Sequence, residues 1–314
     1  MITVFLKIFA IFLMIATGYA ANRTGILPSE SNKYLVNLLL KITTPCMILG
    51  SIGEKELEKD TVSQVLQILV GSTIFFTAVA IFAFICVKVM HYRPETDQGI
   101  MMVIITACNT GFMGFPIVKA IFGDEYFFLM VIENIVLNLY IFCFSIPIMN
   151  YKNRTDKTVK DTIKSALNLC TITSLLGLAI LFLQIPMPDF CLDFLNSVGD
   201  ATIPLSMIIV GIQLADSDLG SMLRNTKLFI AAFINVAVVP FMAFLAIRNL
   251  PLDQNVKITM IFASCLPCAV AATGVAAEEN LNASLMSEGI ALTTALSIIT
   301  LPIGATYLLH YFNV

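Results

Sequence analysis

The chain has 314 residues, 58% of them hydrophobic and 12% charged, with a mean hydropathy of +0.89. Soluble domains average about 25% charged residues, so a water-soluble globule cannot bury this much apolar surface and the chain belongs in a bilayer. A net charge of -3 offers no basic footprint for nucleic acid.

A hydrocarbon core of about 30 Å takes roughly 20 helical residues. Apolar runs of that order occupy residues 2–22, 31–51, 64–90, 98–122, 126–149, 167–185, 191–213, 227–248, 255–278 and 284–309. The expected fold is therefore an all-α membrane protein with ten transmembrane helices. The first run carries Lys7 and lacks a basic leader, so it reads as a membrane helix rather than a signal peptide. The second holds Lys41 at its middle and Pro45 in TTPCMILG. An ionisable group at such depth is costly and is a functional candidate. Lys41 is expected to attract an anion or to pair with an acid on a neighbouring helix.

The fourth run contains Cys108-Asn109-Thr110-Gly111-Phe112-Met113-Gly114-Phe115-Pro116, with two glycines and a proline inside an apolar stretch. Both residue types weaken a helix. In hydrocarbon each freed peptide group needs a partner, so unwound backbone belongs where it lines a cavity. Lys119, further along, is expected at the outer interface. The fifth run carries Glu133 and Asn134, with Pro147 near its end; the spacer that follows, YKNRTDKTVK, is strongly basic. In the seventh run Asp200 precedes TIPLSMIIVG and is expected to cap that helical stretch. The ninth contains SCLPCAVAATG, a second interruption, and the tenth carries Glu288 and Pro302.

The eight cysteines are scattered through apolar runs and read as small buried hydrophobes. Cys265-Leu266-Pro267-Cys268 matches C-x-x-C, but no second pair completes a zinc site. No metal or cofactor is expected. Only His91 and His310 occur, with no H-E-x-x-H and no P-loop, so neither an intramembrane enzyme nor an ATP-driven motor is indicated.

Lys and Arg concentrate in alternate loops: Arg23 and Lys33, Lys88 and Arg93, the 151–164 spacer, then Arg224 and Lys227. The positive-inside rule puts these in the cytoplasm and both termini outside a cell membrane. Residues 1–150 and 165–314 each hold five runs, flanking a cytoplasmic linker at 151–164. Glu133 and Pro147 in SIP correspond in spacing to Glu288 and Pro302 in TLP; Thr106-Ala107-Cys108 corresponds to Ala263-Ser264-Cys265, and Pro45 to Pro204. Five helices is an odd number, so the second half is expected as an inverted repeat of the first, with helices 4 and 9 broken and crossing.

The motif Asn109-Thr110-x-x-Met113-Gly114-x-Pro116, supported by Leu266-Pro267 and Ala277-Glu278-Glu279-Asn280, resembles the signature of the auxin efflux carrier family, the PIN-like carriers. The resemblance implies a homodimeric elevator-type secondary carrier whose helices 4 and 9 cross beside the substrate. Helices 1, 2, 6 and 7 would be the scaffold, and the other six would move. Compact members imply a small organic anion, a mono- or dicarboxylate such as malonate or malate, in place of auxin. The candidate substrate-binding residues are Asn109, Thr110, Gly111, Gly114, Pro116 and Asn134 in the first half, and Cys265, Pro267 and Thr273 in the second. Glu133 and Glu288 are candidates for handling a coupling proton or sodium ion. The alternative is a transport-inactive membrane sensor or scaffold that binds a small ligand.

Overall fold

A computed structural model describes residues 2–55, 57, 59–150, 169–217, 222 and 224–313. The described chain is helical, without strands, and the expected linker at 151–164 lies outside it. Among the described residues, six stretches are long and apolar enough to cross a membrane: Ser31–Gly53, Asp60–Val89, Glu95–Ile121, Asp189–Asp216, Thr226–Ile247 and Ala283–Phe312.

The helices are α1 (Ile2–Arg23), α2 (Ser31–Leu38), α3 (Thr44–Gly53), α4 (Lys59–Val89), α5 (Gln98–Thr106), α6 (Phe115–Ile121), α7 (Asp124–Leu139) and α8 (Ile146–Met149). After the linker come α9 (Leu169–Phe182), α10 (Asp189–Gly199), α11 (Thr202–Asp216), α12 (Thr226–Phe233), α13 (Val239–Ile247), α14 (Gln254–Ser264), α15 (Ala271–Glu278) and α16 (Ala283–Phe312).

Four of the joints between consecutive helices are π-helical turns: Leu39–Thr43, Thr110–Gly114, Tyr140–Ser145 and Ile234–Val238. Each ends just before a proline, namely Pro45, Pro116, Pro147 and Pro240, which sits in the first turn of the next helix. Proline has no N–H, and its ring crowds the carbonyl one turn back. A widened turn relieves that clash while the chain keeps its direction.

Two groups of helices result. In one, α1 packs against α11, and α3 against α9 and α10. In the other, α4 packs on α5 and α7, α14 on α7 and α13, and α16 on α12 and α15. The groups meet where α7 touches α3 and α9, and where α6 touches α1 and α11. The α1–α11 crossing depends on glycine. A Cβ on Gly211 would collide with the Ile15 carbonyl oxygen, and one on Gly18 with that of Ile208. In lipid, where apolar side chains gain little by leaving their surroundings, such close backbone approach is the main source of helix association.

Burial separates inside from outside. In the most apolar part of 95–121, 94% is buried, against 28% for 60–89. The interrupted fourth run is thus interior. On α4 the exposed side chains Leu66, Val70, Ile74, Ile81 and Ile85 form an apolar outer face suited to lipid.

Candidate functional site

The fourth run loses helical form at Ala107–Asn109, where Ala107 is extended (φ -79°, ψ 129°) and Asn109 has φ -92° and ψ 58°. The ninth loses it from Cys265 to Val270. The two interruptions touch: the Asn109 N–H donates to the Pro267 carbonyl at 2.8 Å. Across this junction Gly114 faces Leu266, and a Cβ there would come within 2.7 Å of the leucine Cδ1. A small residue is needed at that point for the two segments to approach.

Side chains from neighbouring helices take up the backbone groups freed by the breaks. Asn235, in the π turn between α12 and α13, donates its Nδ2 to the Ile105 carbonyl at 3.1 Å. Thr293 of α16 accepts the Cys268 N–H at 3.1 Å. Tyr140 instead binds a side chain beside the break, donating its hydroxyl to Thr106 Oγ1 at 2.9 Å. The Asn109 carbonyl accepts from the N–H groups of both Met113 (3.1 Å) and Gly114 (2.9 Å), which starts the next helical stretch. Buried polar groups are normally paired in this way, because an unpaired one in a low-dielectric interior is costly.

A cavity of about 1230 Å³ opens from the junction. Asn109, Thr110 and Gly111 line it from one break, and Ala269, Val270, Ala271, Thr273 and Gly274 from the other. Asn134 and Asn138 of α7 form a wall. They are linked in a chain: Asn138 Nδ2 donates to Asn134 Oδ1 at 3.0 Å, and Asn134 Nδ2 donates to Thr110 Oγ1 at 2.7 Å. Toward the mouth the lining becomes charged, with Glu30, Lys33, Lys41, Asp216 and Glu288. The mouth lies at the end of the bundle where α5 and α16 begin, an end fixed by the 2.9 Å bond from Asn282 Nδ2 to Asp97 Oδ2.

The deep end is built from neutral donors. Asn109 is 4% exposed, and its Nδ2 has no hydrogen-bond partner. Beside it Thr110, Gly111 and Phe112, which open the next helical stretch, line the cavity at the positive end of that helix. The 271–278 helix likewise begins at the cavity wall. Neutral donors and two helix N-termini suit a carboxylate, without burying a fixed positive charge.

The candidates from the sequence are therefore distributed unevenly. Asn109, Thr110, Gly111, Asn134, Thr273, Glu288 and Lys41 line the cavity. Pro267 supplies the carbonyl that joins the breaks. Gly114 and Pro116 lie behind the lining, within helical backbone. Cys265 is buried, and its thiol faces the Ile261 carbonyl at 3.4 Å. Glu133 is 2% exposed, faces the Thr110 hydroxyl from behind, and has no partner for Oε2. Glu288 is half-buried near the mouth, 3.4 Å from Ser284 Oγ. Asp200 does not cap the following helix, whose N-cap is Ala201; it lies 3.7 Å from Lys119. Sequence reasoning missed Asn235, Tyr140 and Thr293. The signal available was a lone polar residue in each apolar run, which marks interhelical hydrogen bonding more often than a break.

Comparison with known proteins points to a transport family. The family model described as membrane transport protein matches residues 3–304. An uncharacterized transporter of Methanocaldococcus jannaschii is 24% identical, over 96% of this chain and 97% of its own. An uncharacterized transporter of Methanothermobacter thermautotrophicus is 23% identical over the same shares. The chain is thus a multi-pass membrane transporter and belongs to the membrane transport protein family, the auxin efflux carrier-like family that its Asn109-Thr110 motif resembles.

Proposed function

We propose that this transporter is a secondary carrier for a small organic anion, a mono- or dicarboxylate, bound where the two interrupted helices meet. The observation that carries this reading is the 2.8 Å bond from Asn109 to Pro267 at the base of the cavity, beside an Asn109 Nδ2 that has no partner. A carboxylate oxygen would accept from that amide and from the first N–H groups of the stretch starting at Thr110. Lys41, in the cavity wall, is placed to attract an anion, while Glu30, Asp216 and Glu288 line the same cavity with opposite charge.

The reading includes ten membrane helices in two inverted repeats, 1–150 and 165–314. It is supported by matching interruptions in the fourth and ninth runs and by the meeting of those interruptions in space. Alternating access would come from the group containing α4–α8 and α12–α16 moving against the group containing α1–α3 and α9–α11. Positive-inside counting makes the cavity mouth cytoplasmic, with both termini outside the plasma membrane. A homodimer is proposed from the resemblance. Glu133 is the proposed carrier of a coupling proton, or neighbour of a sodium ion, with Glu288 accessible from the mouth.

The test is uptake by proteoliposomes of radiolabelled mono- and dicarboxylates under imposed pH, sodium and voltage gradients. Accumulation of a carboxylate driven by one of these gradients is expected. Saturable binding of a ligand with no uptake under any gradient would replace this reading with that of a sensor.

A further inference from the structure

We propose that Lys119 and Asp200 form a latch that holds the cavity turned toward the end where α5 and α16 begin, and that the pair parts when the cavity turns to the opposite end. The inference rests on the two-body reading above. Lys119 lies near the end of α6, on the side of the break away from the mouth. Its Nζ is 3.7 Å from Asp200 Oδ1 and 3.7 Å from Asp124 Oδ1. Asp124 opens α7 and belongs to the same body as α6. Asp200 occupies the bend between α10 and α11, in the other body. The ion pair therefore bridges the two bodies at the closed end.

Lys55, just past α3, also crosses, its Nζ lying 5.7 Å from the centre of the Phe128 ring of α7, but the following side-chain hydrogen bonds do not. Asn134–Thr110, Asn235–Ile105, Asn282–Asp97 and Asn150–Glu279 stay within the body that carries the breaks. Ser29–Asp216 and Asn196–Glu54 stay within the other. Around the latch the seal is apolar: Ile117 and Ile121 of α6 face Ile11 and Ile15 of α1. Apolar contacts can re-form after a slide, whereas an ion pair specifies one register. The Lys119 side chain is 22% exposed, while those of Asp200 and Asp124 are 69% and 73% exposed. The acids already contact solvent, so parting the pair strands no buried carboxylate. A pair this exposed is weak enough to open in every cycle. Asp124 travels with Lys119 and can keep its charge partnered when Asp200 is left behind.

The test uses the full chain in a cysteine-free background carrying Ala271→Cys, an exposed position in the cavity wall. Oriented vesicles are labelled with a membrane-impermeant methanethiosulfonate from one face, then from the other. The parent should react faster from the mouth face. Asp200→Lys, which opposes Lys119 with a like charge, should lower that rate several-fold and raise the rate from the opposite face. The double variant Lys119→Asp/Asp200→Lys should return both rates to the parent values. If the single reversal does not fold, Asp200→Asn should give a smaller shift in the same direction. Labelling from both faces that ignores Asp200 substitutions would overturn the latch alone. A parent that never labels from the opposite face, under any gradient, would overturn the two-body reading and the latch with it.

Discussion

Glu133 is 2% exposed, and its Oε2 has no hydrogen-bond partner, while the Thr110 hydroxyl stands on its other side. An ionised carboxylate held this way costs several kcal/mol. Binding a proton or a small cation removes that cost, and Glu133 is one residue from Asn134, which bonds the same hydroxyl. Changes at this proposed coupling residue would therefore be felt at Thr110, which lines the cavity. Glu133→Gln is expected to give folded protein whose uptake no longer depends on pH or on the cation. Dependence equal to that of the parent would remove Glu133 from the coupling step. The sequence singled out both Glu133 and Glu288 by their spacing from a proline, yet they occupy different environments. Glu288 lies in the second turn of α16 at the mouth, whereas Glu133 lies in the third turn of α7 under the break. Spacing along a run is legible in a sequence; depth below the cavity floor is not, because it depends on how the neighbouring helices tilt.

At the scale of the element, the breakers and the breaks are displaced from each other in the fourth run. Gly111, Gly114 and Pro116 announce an interruption, but the unwound residues are Ala107–Asn109, one turn earlier. The π turn at Thr110–Gly114 absorbs the proline's demand, and the chain opens where Asn109 can instead bond Pro267. In the ninth run Pro267 sits within the unwound stretch itself, so there the sequence pointed to the right place. The same proline-and-π arrangement recurs at Pro45, Pro147 and Pro240 without unwinding. These four prolines mark widened turns, whereas Pro302 lies inside the continuous α16, and a full break also needs a partner for the released peptide groups. Helix crossings follow a simpler rule. Gly211→Leu would drive a side chain into the α1 backbone at Ile15. It is expected to destabilise the protein by about 1–3 kcal/mol, seen as a lower unfolding midpoint in detergent. An unchanged midpoint would mean that α1 and α11 are free to separate.

At the scale of the molecule, composition alone indicated a membrane protein, and the apolar runs anticipated the helical segments, including those divided by π turns. What remained out of reach was the arrangement of those segments. The 2.8 Å contact between Asn109 and Pro267 joins residues from opposite halves of the chain, and no local pattern encodes it. The cavity above that contact, with charge at its mouth and neutral donors at its base, is the feature on which the proposed carriage of an anion rests. Lys41 contributes at the wall, so Lys41→Ala is expected to raise the KM for a carboxylate several-fold while leaving the maximal rate near that of the parent. A lower maximal rate at unchanged KM would assign it to the conformational step instead. The most direct measurement of the central claim is carboxylate uptake by Asn109→Ala in proteoliposomes, at matched amounts of folded protein. Loss of uptake is predicted, because the unpartnered amide at the junction is the proposed grip on the solute. Uptake at the parent rate would contradict the account.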